Sequence, residues 1–397
     1  MAGRIMHVDL DAFFVEVCRR RRPELRDVPL LVVGGRRDSR GVVQSASYDA
    51  RRFGVRSGMP IAQAVRLCPE ATFVQGTFDH YRQASRTVRQ VLSRHAPTVV
   101  MASLDEGYLD FAGTERLYPV SLLPVAEAVR DDIRRETGLD CSIGIGTSRM
   151  VAKLASDFAK PRGLCEVRAG WEHGFLAGLS LAALPGIGPK EAARLKSLGL
   201  QEVAQVQCLS EEQLSRLIGP SARLLMRRAR GMGSATLRPD RPARSVSRET
   251  TLPRDSRDLR QLEGLLIRFV GLVAADLRDQ GLVARTVVLK LRHSDFRTVT
   301  RRRTLDCPTD LDQELMGALK QLLPPAFQEA VRRRQGIRLI GASATGLEPA
   351  APLDLFEPEA RTRLRALTRA VDVVRDRYGF DAVQPARTLK SARRRRS

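Results

Sequence analysis

Three carboxylates at the ends of predicted strands constrain what the N-terminal half of the chain can form. Residues 5–10 are predicted to form a short strand that carries Asp9 at its end, and residues 98–111 a hairpin with Asp105 and Glu106 at its tip. Such acids, flanked by small or apolar neighbours, are poor core material and cannot pair with one another. Mg²⁺ prefers these hard oxygen ligands, and two such ions roughly 3.5–4 Å apart can clamp an in-line phosphoryl transfer. The residues alone leave open the simpler explanation that turns favour acidic side chains.

The composition indicates a multidomain chain with a polyanionic partner. Its 397 residues, 43% of them hydrophobic, exclude wholesale disorder and suggest about two to four domains. The 67 basic residues exceed the 45 acidic ones by 22, which favours nucleic acid as the partner. Only seven of the basic residues are Lys, none of them before residue 153, so each Lys carries more weight than any single Arg.

The N-terminus and the cysteines predict a reduced cytoplasmic setting. The first residues lack the apolar stretch of a signal peptide. No run approaches the length of about 18 apolar residues that a membrane span needs, so we expect no membrane association. The cysteines occur singly, without the spacing of a zinc site or a disulfide framework; they are Cys18, Cys68, Cys141, Cys165, Cys208 and Cys307.

The pattern of apolar residues predicts an α+β chain with a mixed region of strands and helices, then an all-helical region, then a second mixed region. Before residue 168, strands such as 28–33 alternate with short helices at 45–53 and 60–67 and with longer amphipathic helices, one of them opened by Thr147 or Ser148. Residues 172–231 are predicted to be entirely helical. A second α+β unit follows a basic Gly/Pro-rich linker. In one of its strands, Val287, Leu289 and Leu291 lie on one face, and Lys290 and Arg292 lie on the other.

Four ordered motifs resemble those of the Y-family DNA polymerases of the DNA polymerase IV (DinB) type. They are HVDLDAFF at 7–14, YDARRFGVRSGMP at 48–60, SLDEGYLD at 103–110 and SDFAKPRG at 156–163. The resemblance extends from residue 1 to about residue 347, and four motifs in order are far more specific than one. It implies an error-prone translesion polymerase that adds dNTPs to a primer 3′-OH with two Mg²⁺ ions.

The resemblance implies a multi-domain right hand. Its expected parts are a palm at 1–10 and 77–167 with fingers inserted at 11–76, an all-α thumb with a helix-hairpin-helix at 168–231, a linker at 232–243, an α+β little finger at 244–347 and a tail at 348–397.

The resemblance also implies the residues of the active site. Asp9 and Asp105 match the metal-binding aspartates, Glu106 matches the catalytic glutamate, which we also include among the metal ligands, and the carbonyl of Leu10 is a further metal ligand. The nucleotide-binding set is Phe14, Phe13, Ser45, Tyr48, Arg51 and Lys160. Phe14 is the ring that packs under the sugar and excludes a 2′-OH, whereas Phe13 is better suited to the core. Without the resemblance, Tyr48 and Arg51 are also consistent with an ordinary half-exposed helix face. Lys153 could likewise pair with Asp157, four residues further along the helix.

Two segments are expected to bind DNA phosphates. Leu184–Lys190 resembles a helix-hairpin-helix, in which Gly186 and Gly188 let backbone amides approach an anion beside Lys190; a tight helix–helix turn is the alternative. A weaker copy is expected at 217–231. In the second α+β unit, Lys290, Arg292 and Arg338 are the expected contacts, with a solvated sheet face as the alternative.

The tail carries a pentamer that resembles the bacterial sliding-clamp motif. In Pro352–Phe356, Leu353, Asp354, Leu355 and Phe356 match the motif, whereas Pro352 stands where it usually begins with Gln. Clamp binding raises the effective concentration of the enzyme at the primer end. The expected partners are thus primer–template DNA, dNTPs and a sliding clamp, bound by a monomer in the bacterial cytoplasm that joins the nucleoid when it is on DNA.

Three departures from the family pattern do not remove a required carboxylate. Cys18 replaces a usual Glu, Gln44 a small residue near the nascent base pair, and Gly107 the usual Ala after the catalytic Glu. We expect Gly107 to loosen the hairpin slightly. Two alternatives to an active polymerase remain. One is a catalytically weak or inactive DNA- and clamp-binding accessory factor of translesion synthesis, which would normally have lost one of the carboxylates. The other is a nucleotidyl cyclase, which needs neither the helix-hairpin-helix nor the basic second unit.

Overall fold

The fold is that of a computed structural model, which describes residues 3–237, 243–350 and 358–386. It divides into two compact units, Met1–Asp240 and Arg241–Ser397. The pentamer at 352–356 lies outside the described residues. The boundaries of palm, fingers, thumb, linker and little finger stay a prediction.

The first unit is built on a five-stranded sheet and a smaller three-stranded one. Its strands are β1 (Ile5–Leu10), β2 (Leu31–Val33), β3 (Ser45–Ala46), β4 (Thr72–Val74), β5 (Thr98–Met101), β6 (Glu106–Asp110), β7 (Cys141–Gly146) and β8 (Leu164–Glu166). Its helices are α1 (Phe13–Arg21), α2 (Tyr48–Arg52), α3 (Ile61–Leu67), α4 (Phe78–His95), α5 (Leu123–Thr137), α6 (Arg149–Ala159), α7 (Glu172–Ala177), α8 (Pro189–Ser197), α9 (Val203–Gln207), α10 (Glu211–Ile218) and α11 (Ala222–Ala229).

The five-stranded sheet has the order β5-β6-β1-β7-β8, so β1 lies at its centre. Alternate side chains of β1 point to opposite faces. Met6, Val8 and Leu10 pack with α4 and α5 on one face. Ile5 packs with Ala152 of α6 on the other. Asp9 has the same parity as Ile5, and its carboxylate is contacted by Lys160 at the end of α6.

Two sequence predictions for this unit are corrected by strand pairing. Ser45 and Ala46, expected to begin a helix, instead pair with Val33 and Val32 in the three-stranded sheet. The helix begins only at Tyr48, where the Ser47 hydroxyl accepts a hydrogen bond from the amide of Ala50. The predicted strand 28–33 is shorter, Leu31–Val33. A pairing partner that is distant in sequence has overridden local preference in both places.

The second unit is an antiparallel sheet of order β11-β10-β12-β9 with helices packed on one face. Its elements are β9 (Ser245–Ser256), α12 (Leu259–Asp279), β10 (Leu282–His293), β11 (Thr298–Thr309), α13 (Asp312–Arg332), β12 (Ile337–Pro349) and α14 (Glu359–Tyr378). Val287, Leu289 and Leu291 face α12 and α13, as the alternation predicts. The guanidinium of Arg278 on α12 binds both carboxylate oxygens of Asp372 on α14, which attaches this last helix to the unit.

None of the helices within the described ranges is both long enough and apolar enough to cross a membrane.

Candidate active site

Strand register brings the three predicted carboxylates to one end of the five-stranded sheet. Asp9 on β1 is paired with Glu106 on β6. The amide of Leu10 donates to the carbonyl of Asp105 at 2.8 Å, which fixes the hairpin tip against the end of β1. The side chain of Asp9 is 14% exposed and that of Glu106 is 25% exposed. The hydroxyl of Ser103 donates to the carboxylate of Asp105.

Two lysines from the same helix neutralise this acidic cluster. The ammonium of Lys160, at the end of α6, lies 2.9 Å from Asp9 Oδ2 and 2.8 Å from Asp157 Oδ1. Lys153, inside α6, places its ammonium 2.5 Å from Glu106 Oε2. The possible pair of Lys153 with Asp157 is therefore wrong in this structure, because Asp157 pairs with Lys160 instead. The sequence placed Lys160 at the site but missed the contact between Lys153 and Glu106.

Burial and these cations act on the carboxylates in different ways. Burial raises the pKa of Asp9, and the ammonium of Lys160 opposes that rise. The imidazole of His7, together with the ammonium of Lys153, lowers the pKa of Glu106 to about 2 against the effect of burial. Glu106 is consequently ionised at neutral pH.

The oxygen atoms at this end of the sheet fit Mg²⁺ in their chemistry. They are hard carboxylate oxygens next to the carbonyl of Leu10, the donor type that Mg²⁺ prefers. Within the described residues, no three His, Cys, Asp or Glu side chains are gathered as closely as one ion requires. The two ammonium groups, each within hydrogen-bond distance of a carboxylate, instead show that the site already stabilises compact positive charge.

The predicted nucleotide-binding residues other than Lys160 lie on α1, β3 and α2, and Tyr48 of this set contacts Asp11, two residues after Asp9. The Tyr48 hydroxyl donates to Asp11 Oδ1 at 2.6 Å, and the guanidinium of Arg51 lies 4.8 Å from the centre of the Tyr48 ring. Asp11 also accepts hydrogen bonds from Ser142 and from the amide of Arg162. Sequence reasoning gave Asp11 no role; the first motif contained it, but nothing in the spacing identified these donors.

The two adjacent aromatic residues of α1 have different surroundings. Phe13 is 2% exposed and belongs to the core of the unit. Phe14 is half-buried, and its ring stands edge-on to that of Tyr81 with centroids 4.4 Å apart. The Tyr81 hydroxyl in turn lies 3.3 Å from the sulfur of Cys18, a contact that the sequence did not predict. Ser45 is buried in β3.

Gly107 and Gln44, the other two departures from the family pattern, also have defined environments in the structure. A Cβ added at Gly107 would lie 3.0 Å from Met101 Sδ and 3.3 Å from a methyl group of Leu92. An alanine at this position would require those two side chains to shift. The expected loosening of the hairpin stays a prediction. Gln44 buries its Oε1 with no hydrogen-bond donor among the described residues.

The expected DNA-binding residues lie in a turn and on a sheet face. Gly186 has φ +89°, and Gly188 immediately precedes α8, which carries Lys190. The guanidinium of Arg228 lies beside Gly186, so this turn holds a basic group that the sequence analysis did not single out.

In the second unit, each expected DNA-binding residue has a partner within the chain. Lys290 pairs with Glu249 at 2.7 Å, Arg292 donates to the hydroxyl of Thr298, and Arg338 lies over the ring of Phe296.

Acids of two adjacent strands lie at one end of the five-stranded sheet, and the comparisons with known proteins show a nucleotidyltransferase of the DNA polymerase class. The model of the impB/mucB/samB family matches residues 8–157, and the model of that family's C-terminal domain matches residues 243–355. The chain belongs to this family, that of the Y-family translesion DNA polymerases.

Relatives and solved structures agree with that assignment. The chain is 40% identical over 388 residues to the DNA polymerase IV of Dehalococcoides mccartyi strain CBDB1, covering 98% of each chain. It is 36% identical to that of Caulobacter vibrioides, covering 97% of this chain and 94% of the relative. The structure of a Y-family polymerase chimera, Dbh-Dpo4(243-245)-Dbh, has a TM-score of 0.74 at 24% identity, covering 86% of this chain and 98% of the chimera. DinB from Sulfolobus solfataricus has a TM-score of 0.57 at 25% identity with the same coverage.

Proposed function

We propose that Asp9, Asp105 and Glu106 are the metal-binding and catalytic carboxylates of a DNA-directed DNA polymerase of the error-prone translesion type. The observation that carries the proposal is the register of β1 and β6, which sets Asp9 opposite Glu106 with Asp105 fixed alongside. The structures titled as ternary complexes of Dbh DNA polymerase support DNA and a nucleotide as the substrates. Nothing in the site favours an inactive accessory factor or a cyclase.

Different residues of the site have different roles in nucleotidyl transfer. The three carboxylates and the carbonyl of Leu10 would hold two Mg²⁺ ions, which would supply activation of the primer 3′-OH and neutralisation of the triphosphate. Lys160 moves its ammonium from Asp9 to the triphosphate when a nucleotide binds.

The fingers-side residues bind and select the nucleotide. Tyr48 and Arg51 donate to phosphate oxygens, for which the planar guanidinium is well shaped. The ring of Phe14 lies under the sugar and excludes a 2′-hydroxyl. This assignment is supported by the half-buried position of Phe14 against Tyr81.

Primer extension tests the proposal directly. The chain is given an undamaged primer–template, four dNTPs and Mg²⁺, with Asp105→Ala and Glu106→Gln as variants and Asp131→Asn, an exposed acid of α5, as the matched control. We expect extension by the wild type and the control and none by the two site variants. Absence of extension by the wild type, with duplex binding intact, would reject the catalytic assignment.

DNA contacts outside the active site belong to the same proposal. Gly186, Gly188 and Lys190 of the helix-hairpin-helix turn bind backbone phosphates without reading sequence. Lys290, Arg292 and Arg338 do the same from the second unit, which requires Lys290 to leave Glu249.

The segment at 352–356 is proposed to bind a sliding clamp, and the chain to act as a monomer in the bacterial cytoplasm. The support for clamp binding is the sequence Leu353-Asp354-Leu355-Phe356 just beyond the second unit. Replacing Leu355 and Phe356 by Ala should abolish the stimulation of primer extension by a loaded clamp and leave extension without the clamp unchanged. Equal stimulation of both proteins would refute clamp binding, and sedimentation of the free chain tests the monomer.

A further inference from the structure

A fully buried histidine lies directly behind the candidate catalytic glutamate. His7 is on β1, two residues before Asp9 and on the same face of the strand, and its side chain is 0% exposed. Its Nδ1 is 2.7 Å from the hydroxyl of Ser156 on α6. Its Nε2 is 3.5 Å from Glu106 Oε2, the acceptor that it faces across the strand pair. The first motif begins at His7, but the proposed mechanism gives this side chain no role.

The hydrogen-bond network sets the direction in which His7 acts. The Ser156 hydroxyl lies 2.7 Å from the carbonyl of Lys153 and is placed to donate to it. That carbonyl lies inside α6, where the helix already supplies an amide donor, so the hydroxyl can turn to Nδ1 without leaving the carbonyl unpaired. When Ser156 donates to Nδ1 instead, Nε2 carries the hydrogen of the neutral ring and points it at Glu106. In that tautomer the Nε2–H group faces Glu106 Oε2 at 3.5 Å, a long contact, and no other polar atom among the described residues pairs with it.

The ammonium of Lys153 and the Nε2 atom of His7 thus both face one oxygen of Glu106, at 2.5 Å and 3.5 Å. Lys153 reaches Oε2 on a flexible side chain, whereas His7 approaches it with a rigid ring held by Ser156 and packed against Tyr108 at a centroid distance of 4.5 Å. Oε1 accepts no hydrogen bond from the part of the chain that the structure describes. Contacts to Oε2 alone therefore leave Oε1 free to accept another ligand.

We propose that His7 is a positioning residue that orients the carboxylate of Glu106, so that Oε1 is presented for metal binding. The proposal rests on the proposed function, because it assigns Glu106 to that role. Groups that orient a metal-binding carboxylate from behind are typically important, and their loss costs about 10–100-fold in metal affinity or activity. His7 acts through Glu106 and touches no substrate.

Two substitutions at the same position separate the hydrogen bond to Glu106 from the one to Ser156. The amide of Asn is short and replaces only Nδ1, so His7→Asn keeps the bond to Ser156 and loses the reach to Glu106. The amide of Gln extends to the place of Nε2, so His7→Gln restores a donor for Glu106. His293 of the second unit is also fully buried and lacks a hydrogen-bond partner for its ring among the described residues. His293→Asn is therefore the matched control for a buried histidine-to-asparagine change.

The experiment measures single-nucleotide insertion and Mn²⁺ binding on the full chain. Insertion gives kcat and the dNTP KM; titration by electron paramagnetic resonance gives the Mn²⁺ affinity of the complex with a dideoxy-terminated primer and dNTP. We expect His7→Asn to lower kcat and Mn²⁺ affinity by about 10–100-fold with KM nearly unchanged. His7→Gln and His293→Asn should remain within a few-fold of the wild type in all three quantities.

Every other outcome contradicts either the positioning role of His7 or the proposed function. Wild-type kcat and Mn²⁺ affinity in His7→Asn refute positioning by His7, as does a loss in His7→Gln equal to that in His7→Asn. Parallel losses of thermal stability and primer–template binding in His7→Asn would show a structural role only and refute the proposal as well. A wild-type chain that inserts no nucleotide, or a fully active Glu106→Gln, instead removes the proposed function on which the inference rests.

Discussion

Gly144 controls how closely helix α6 approaches the sheet that carries the proposed catalytic acids. It lies on β7 opposite His7 of β1, with its Cα facing α6. A Cβ at this position would lie 2.1 Å from the carbonyl oxygen of Ala152 and 2.1 Å from the amide nitrogen of Ser156. Both are backbone atoms of α6, so no rotamer change relieves the clash. Gly144→Ala therefore requires the helix and the strand to separate.

The size of that separation follows from the structure. Since real Cβ contacts essentially never fall below 3.0 Å, the backbone atoms must retreat by about 0.9 Å from 2.1 Å. The backbone of Lys153 and Lys160 moves with α6, so their ammonium groups, 2.5 Å from Glu106 Oε2 and 2.9 Å from Asp9 Oδ2, are displaced from these acids by up to the same amount. A misplacement of about 1 Å costs roughly 10²-fold in rate, and overpacking of this kind costs about 1–3 kcal/mol of stability.

The assay is single-turnover incorporation of one dNTP at saturating primer–template, run well below the unfolding midpoint of each protein. The control is Gly174→Ala on α7, where an added Cβ meets nothing within 4 Å. We expect Gly144→Ala to lose about 10²-fold in rate, and the control to match the wild type. A folded Gly144→Ala protein with a rate within a few-fold of the wild type would refute the argument that close approach of α6 positions the lysines.

Three further substitutions have defined outcomes. Phe14→Ala should lower the ratio of kcat/KM for dNTPs to kcat/KM for rNTPs by at least about tenfold. The substitution removes the ring that rests on Tyr81 and is proposed to exclude a 2′-hydroxyl. Unchanged selectivity would exclude Phe14 from this role. Lys290→Ala should reduce the slope of log affinity against log salt for primer–template by about 0.9, the effect of one phosphate contact; an unchanged slope would mean that Lys290 does not contact DNA. Arg278→Leu should destabilise the second unit by about 3–5 kcal/mol in urea unfolding. The reason is that the carboxylate of Asp372 loses the bidentate guanidinium that binds it. Wild-type stability, with α14 still protected from hydrogen exchange, would contradict the importance of that pair.

The sequence predicted those parts of the site that local patterns encode. Strand β1 is short and bounded by charge, and the acids at 105–106 interrupt an apolar hairpin, so both positions are visible along the chain. Parity along β1 then places Asp9 on the face away from Met6, Val8 and Leu10 without knowledge of the fold. The convergence of Asp9 with Glu106 is thus the product of local signals plus one strand pairing.

The parts that the sequence did not predict depend on contacts between distant elements. The Ser156 hydroxyl that holds His7 is 149 positions away in the chain, and the Asp11 carboxylate that binds Tyr48 is 37 away. No periodicity within one element carries that information, because it is set by the sheet order and by how closely α6 approaches β7. Ser45 illustrates the same limit, since its strand exists only through pairing with Val33.

The partners of the two aspartates in the first motif explain why only one of them suits a metal. Asp11 is 5% exposed, and its oxygens accept from two hydroxyls and a backbone amide, all of them fixed neutral donors. Asp9 is paired instead with the ammonium of Lys160, a cation on a flexible stem that can leave when another cation or a triphosphate arrives.

The same logic accounts for lysine at positions 153 and 160 in a chain that otherwise prefers arginine. A guanidinium would bind a carboxylate through two oxygens at once and hold it in a fixed plane. An ammonium is compact and contacts one oxygen, as Lys153 does with Glu106 Oε2, so that the second oxygen remains available. Lys153→Arg should therefore lower the rate of incorporation although the charge is conserved, because the broader group engages Oε1 as well. An arginine variant as active as the wild type would show that charge alone is required at this position.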